Sequence, residues 1–306
     1  MELYKKHRPN KLQKVIGQDD STNILHTFVK KRKVPHALLF SGPSGCGKTT
    51  LARIMRKELK CGKNDFNELD CADFRGIEMV RSIRSRLMQA PIDGECRVWL
   101  IDECHKLTTD AQDAFLKILE DTPKHVYFML ATTDPQKLKR TIRTRCTEVS
   151  VKPLASNDLN KLLLGVCKKE GVEIPKKVIK KIIDYCEGSA RKALVFLNQI
   201  IDLADKDMED AIKESTMETQ AILIARALLN PSTRWPKMAS ILKENQKEDP
   251  EGIRWMVLGY AKTVMLSGKL SAQCYLILDS FRDHFYDSKF AGLIAACYEV
   301  VEKNRD

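Results

Sequence analysis

Residues 36–50 read HALLFSGPSGCGKTT, and the chain continues LARIMRKEL with apolar residues at helical spacing. A short apolar run, a glycine-rich turn and an amphipathic helix in that order describe a buried strand that feeds a helix. The same unit recurs. FNELDC (66–71) leads into GIEMVRSIRSRLM, RVWLIDE (97–103) into TDAQDAFLKILED, and HVYFMLATT (125–133) into DPQKLKRTIRTR, while CTEVSV (146–151) closes the set. Strands alternating with helices require a parallel sheet covered on both faces, with ligands at the carboxyl ends of its strands. The expectation is a five-stranded α/β domain over residues 1–152.

After Pro153 the strand signal stops. SNDLNKLLLGVCKKEG and PKKVIKKIIDYCEG read as short amphipathic helices ended by Gly171 and Gly188, with Asn157 and Pro175 near their starts. They predict a small helical domain over 153–206. From Asp207 on, AILIARALL, WPKMASILKENQ, IRWMVLGYAKTVML and SAQCYLILDSFRDHFY are separated by NPST, KEDPEG and SGKL, which predicts a third, all-helical domain over 207–306. A length of 306 residues suits two or three domains.

The N-terminus MELYKKHRPNKL has no apolar stretch behind its charges, and no uncharged apolar window of membrane-spanning length occurs, so a cytoplasmic protein with no membrane partner is expected. Ten cysteines, most of them single within apolar or basic segments, fit reduced and buried thiols. The net charge of +11 favours polyanions and is clustered: residues 5–33 carry nine Lys or Arg against Asp19 and Asp20, and residues 75–91 four Arg against Glu78.

The loop supplies the chemistry. Gly42, Pro43, Ser44, Gly45, Cys46, Gly47, Lys48 and Thr49 match the phosphate-loop pattern of glycine, four variable residues, glycine, lysine and Ser or Thr, with Thr50 following. Glycines let backbone N–H groups converge on a phosphate, the helix start points its positive end at the anion, Lys48 can bridge the β- and γ-phosphates of ATP, and the Thr49 hydroxyl can ligate Mg²⁺. In RVWLIDE a strand ends in two acids 54 residues after Lys48, where Asp102 can hold magnesium and Glu103 can polarise an attacking water. Thr133 ends the next strand and can orient that water. Arg145 and Arg191 stand at domain edges; read alone, Arg145 fits a surface charge as well as a finger that stabilises a phosphoryl transition state.

Taken together, KHRPNKLQKVIGQ, GPSGCGKT, VWLIDE, DAFLKILEDTPKHVYFMLATTDPQKL, TRC and GSARKAL resemble the ATPase subunits of sliding-clamp loaders in the AAA+ superfamily. The resemblance covers residues 4 to about 200 and is similar in particular to the bacterial gamma/tau subunit from Val98 to Cys146. It implies a P-loop AAA+ domain, a helical lid and a helical collar. It also implies that Lys48 and Thr49 with Asp102 and Glu103 are the Walker pairs, Thr133 the first sensor and Arg191 the second. Arg145 would then act on a neighbouring subunit's ATP, and Val15 and Ile16 would lie beside the adenine. Gln112 falls where replication factor C small subunits have a glutamine that couples DNA contact to the ATP site. Implied partners are a sliding clamp, primer–template DNA and other loader subunits, in a pentamer within a bacterial or phage-infected cell.

Two features depart from the pattern. Thr144 replaces the serine before the finger, which keeps a hydroxyl. The four-cysteine zinc module of gamma/tau is reduced to Cys61 and Cys71, too few thiols for a tetrahedral site, so no zinc is expected. CADFRGIEMVR (71–81) instead resembles replication factor C. There Arg75 precedes a helix carrying Arg81 and Arg84 as an i,i+3 pair on one face, a stripe able to track DNA phosphates, although a solvated basic face has the same pattern. Two further readings stay open at this level: another AAA+ DNA motor such as a branch-migration ATPase, and a loader scaffold subunit that does not hydrolyse ATP.

Overall fold

A computed structural model describes residues 1–246, 248–268 and 270–303. The chain divides into two compact units, residues 1–202 and 203–306.

The first unit is built on five parallel strands, β1 (Ala37–Ser41), β2 (Phe66–Asp70), β3 (Arg97–Asp102), β4 (Val126–Thr132) and β5 (Thr147–Ser150), in the order β2-β3-β4-β1-β5. All five strands fall within the segments expected from sequence. β1 is buried throughout and β3 and β4 nearly so, which is why they read as unbroken apolar runs; of the edge strands, β5 alternates and β2 is half-buried or exposed along its length. Alternate residues of each strand enter different cores. Leu39, Trp99, Ile101, Phe128 and Leu130 pack on one face with Val80 and Ile83 of the helix Ile77–Arg86 and Phe115 of the helix Thr109–Glu120. Leu38, Phe40, Val98, Leu100 and Met129 pack on the other with Leu51 and Met55 of the helix Lys48–Glu58 and Leu25 of the helix Asp19–Lys30. The segment DPQKLKRTIRTR is not one helix: a single turn of 3₁₀ helix, Pro135–Lys137, and the short helix Arg140–Arg143 flank an extended Leu138, which is buried in the core.

The helices Ser156–Glu170 and Lys176–Tyr185 follow as expected, a third helix, Ala190–Ile200, joins them, and Gly171 caps the first in the left-handed conformation. Ser189 caps the third through a hydrogen bond its Oγ accepts from Lys192 N. Sequence periodicity did not show the four-residue helix Leu3–Lys6, whose Leu3 N–H is accepted by Asn198 Oδ1 at 3.2 Å.

In the second unit the expected division at 206/207 falls inside the helix Asp205–Leu229, so the unit begins earlier, at Leu203. KEDPEG is not wholly a linker either. Asp249 accepts the N–H groups of Glu251 and Gly252, Pro250 occupies the first helical position, and the helix runs from Pro250 to Leu266. FRDHFY does not extend the preceding helix, which ends at Ser280, and a last helix, Lys289–Lys303, lies beyond the four segments singled out in the expected helical domain. With Trp235–Glu244 these helices enclose a core centred on Ile224, Val257, Ile277, Phe281 and Cys297. Among the described residues no helix is long and apolar enough to cross a membrane.

None of the ten cysteines forms a disulfide; nine are buried and Cys146 is half-buried. Cys61 and Cys71 belong to the cores on opposite faces of the sheet. Burial pushes the Cys71 and Cys146 thiols up to about 12, which makes them poor thiolates at neutral pH.

Candidate nucleotide site

The phosphate loop leaves β1 at Ser41 and turns through residues that only glycine suits. Gly42 has φ +147, and a Cβ there would lie 1.9 Å from Val151 O, so the loop root fits against the chain leaving β5 only without a side chain. Gly47, at φ +115, precedes the helix Lys48–Glu58 and caps it with no side-chain hydrogen bond; a Cβ added there would meet nothing within 4 Å. The N–H groups of the first turn are therefore left to an external acceptor, and the helix presents its positive end to the same space.

Gln18, in VIGQ, holds this loop from behind. Its Nε2 donates to Lys152 O at 2.6 Å and to Cys46 O at 3.5 Å, while its Oε1 accepts from Lys152 N at 3.1 Å. The tip is fixed from the opposite side, where Arg191 N donates to Gly45 O at 3.2 Å. The helix Ala190–Ile200 thus starts against the phosphate loop, which brings the Arg191 side chain to the cleft.

Strand pairing assembles the acidic side. β3 ends at Asp102 beside Asp70 of β2, and β4 ends beside β1. Thr49 Oγ1 donates to Asp102 Oδ2 at 2.7 Å, joining the two sequence motifs directly. Glu103 takes a left-handed backbone with φ +49, a conformation that costs a non-glycine residue about 1 kcal/mol or more. Its Oε2 accepts from Thr133 Oγ1 at 3.2 Å and lies 3.3 Å from His105 Nδ1, which is itself 3.1 Å from Thr132 Oγ1. Lys48 is 5% exposed, and its Nζ donates to the carbonyls of Gly42 at 2.7 Å and Pro43 at 2.9 Å. Burial lowers its pKa, Glu103 and Asp102 oppose that shift, and Arg191 adds to it. A buried ammonium depressed by desolvation gains from any anion that enters.

These groups border one cleft. Val15, Ile16, the loop from Ser44 to Thr50, Asp102, Glu103 and Arg191 line it; Gly42 and Pro43 contribute the carbonyls that hold Lys48, and Thr133, outside the lining, donates to Glu103. Sequence reasoning missed Tyr4, His7, Asp70, Leu154, Leu162 and Leu194, which also line the cleft. The signal for Asp70 was its place at a strand end next to the DE pair. Tyr4 gave none: its ring comes to the cleft because the N-terminal helix docks on Asn198, and the Arg191 guanidinium sits 5.7 Å from its centre.

The other expected residues lie elsewhere. Arg145 does not line the cleft; it pairs with Glu120 and donates to Thr141 O at 3.1 Å. Arg75, Arg81 and Arg84 are exposed, and Arg81 pairs with Glu78. Gln112 is buried: its Nε2 donates to Leu107 O and Lys137 O, and its Oε1 accepts from Lys139 N at 2.9 Å. It therefore ties the turn after β3, which carries Glu103, to the loop after β4, which carries Thr133.

The arrangement fits a nucleoside triphosphate with a divalent cation: an uncapped helix start and a buried ammonium for phosphate, a paired hydroxyl and carboxylate for the cation, and a carboxylate held at the edge of the cleft for water. Comparison with known proteins gives the family of the chain. Residues 17–78 and 72–155 match the family model described as DNA polymerase III, delta subunit. The DNA polymerase III subunit gamma of Buchnera aphidicola subsp. Schizaphis graminum is 31% identical over 280 residues, covering 83% of this chain and 75% of that protein. The gamma/tau subunit of Mycobacterium tuberculosis is 35% identical over 224 residues, 66% of this chain; the chain spans 39% of that relative's length. Among solved structures, the RuvB Holliday junction branch migration motor of Thermotoga maritima superposes with a TM-score of 0.57 over 72% of this chain and 78% of its own at 23% identity, a likeness of fold.

Proposed function

Since the chain belongs to the DNA polymerase III gamma/tau family of AAA+ clamp-loader subunits, we propose that it binds and hydrolyses ATP to open a sliding clamp and load it onto primer–template DNA. The observation that carries this reading is the Thr49–Asp102 hydrogen bond, which places the phosphate loop and the acidic strand end in one site.

Thr49 and Asp102 would hold Mg²⁺, which when bound neutralises phosphate charge and orients the chain of phosphates. The remaining work falls to the protein. Lys48 exchanges its loop carbonyls for β- and γ-phosphate oxygens, and the first-turn N–H groups of the helix Lys48–Glu58 bind the same anion. Glu103 polarises water, with Thr133 and His105 fixing its carboxylate. Val15 and Ile16 cover the base, and Arg191 carries the state of the cleft into the helix Ala190–Ile200.

Arg145 completes the site of a neighbouring copy, so hydrolysis requires assembly, in a pentamer held by the helices of the second unit. Arg75, Arg81 and Arg84 contact DNA phosphates. The exposed Arg81–Glu78 pair is worth at most about 1 kcal/mol and exchanges readily for phosphate. Gln112, bonded to the segments that carry Glu103 and Thr133, would pass that contact to the catalytic carboxylate.

The test is ATP turnover with primed DNA and clamp for wild type, Lys48→Ala, Arg145→Ala and their mixture. The expected result is stimulation of wild type by primed DNA, little turnover by either variant alone and recovery in the mixture. Full turnover by a monomer, or by Arg145→Ala alone, would refute the shared site, and absence of stimulation by primed DNA would refute the loader.

A further inference from the structure

The helix Thr109–Glu120 grips the segment that carries Arg145 at both ends. At its start, Gln112 Oε1 accepts from Lys139 N at 2.9 Å and Asp113 pairs with Lys139 Nζ at 2.5 Å. Between these points Ile142 of the short helix Arg140–Arg143 is buried with Phe115 and Ile118. At its end, the carboxylate of Glu120 pairs with Arg145 Nη2, while Arg145 Nη1 donates to Thr141 O at 3.1 Å. The guanidinium is thus held on two sides although its side chain is 37% exposed.

A glutamate in the last turn of a helix faces the negative end of the helix dipole and is disfavoured there by about 0.3–1 kcal/mol. An exposed ion pair returns little more than that. The pair therefore contributes little to stability, and its consequence is geometric. A guanidinium has five N–H donors, and Glu120 and Thr141 engage one on each terminal nitrogen. Three remain for a phosphate, so the arginine is oriented without being consumed.

We propose that Glu120 is a positioning residue for Arg145, holding its guanidinium aimed at the phosphates of an adjacent copy's nucleotide. This rests on the reading of Arg145 as a residue that acts between copies. Losing the hold lets the long side chain sample other rotamers. A misplacement of about 1 Å near a reacting centre can cost on the order of 100-fold, whereas removing such an arginine costs roughly 10³–10⁵.

Glu120→Gln should therefore lower kcat for ATP in the assembled, DNA-stimulated complex by about 10–100-fold with KM for ATP unchanged, and Glu120→Ala should do the same with an unaltered thermal melting curve. The defect should act on the neighbour. In a mixture with excess Lys48→Ala chain, which presents an intact Arg145 and Glu120, the rate per Glu120→Gln site should return to the value wild type shows in the same mixture. A wild-type kcat for Glu120→Gln in a preparation where Arg145→Ala is inactive overturns the inference, and so does a loss that excess Lys48→Ala chain does not restore. If Arg145→Ala itself keeps full turnover, it is the inter-copy reading that fails.

Discussion

In the proposed mechanism Glu103 is the residue on which hydrolysis turns, and its surroundings are consistent with that role. Thr133 and His105 fix its carboxylate while Thr49 occupies Asp102, so the two adjacent acids have separate partners. Glu103→Gln keeps the shape and removes the base; ATP binding followed by fluorescence titration should be retained while kcat falls by about 10²–10⁴. Asp65 illustrates a different use of a carboxylate. It is fully buried, accepts N–H groups from Ile92 and Asp93 at 2.8–2.9 Å and lies 3.5 Å from Arg97. Burial alone would raise its pKa, but the N–H groups of Asp93 and Ile92, with Arg97, hold the carboxyl below its usual value. A lowered folded pKa means stability that is complete above the unfolded value of about 4 and lost as pH falls through the folded one. Urea unfolding of wild type and Asp65→Asn should differ by a constant amount between pH 7 and 5 and converge below about pH 4.

At the scale of elements, caps and close approaches explain both where the sequence was read correctly and where it was not. The phosphate loop, the Gly171 cap and the strands were legible because each is fixed by residues adjacent in sequence. KEDPEG reads as a linker because it holds a proline and a glycine among charged residues, yet Asp249 and Pro250 make a helix start. The helix that follows buries Glu251 against Arg254 at 2.6 Å; Arg254 also donates to Phe281 O at 3.0 Å, and Glu251 accepts from Phe285 N at 2.7 Å. This network joins the start of the helix to the turn after Ser280, which gives that turn its shape and explains why FRDHFY does not continue as helix. Removing one member leaves an uncompensated buried charge, so Arg254→Ala should destabilise the second unit by about 3–5 kcal/mol, read from the urea midpoint of the full chain.

At the scale of the whole molecule, the nucleotide cleft and the basic stripe belong to the same compact unit, and the proposed DNA contact is tested by its salt dependence. Each phosphate contact releases counterions and contributes roughly −0.9 to the slope of log K against log salt on duplex DNA. Replacing Arg75, Arg81 and Arg84 together by alanine in the assembled protein should reduce that slope by about 3 with no change in sequence preference. ATP binding without DNA should be unaffected, because none of the three lines the cleft.

Residue order alone sufficed for the strand-loop-helix units, the phosphate loop, the acidic strand end and the helical remainder, since these depend on period and on what glycine, proline and capping residues permit locally. Which of those groups touch emerges only from the folded chain. Parallel strands join residues far apart in the chain, so the bonds from Thr49 to Asp102 and from Thr133 to Glu103 depend on strand order and register. The docking of Tyr4 beside Arg191 and the hold of Glu120 on Arg145 depend on packing between helices and turns, for which no local pattern exists.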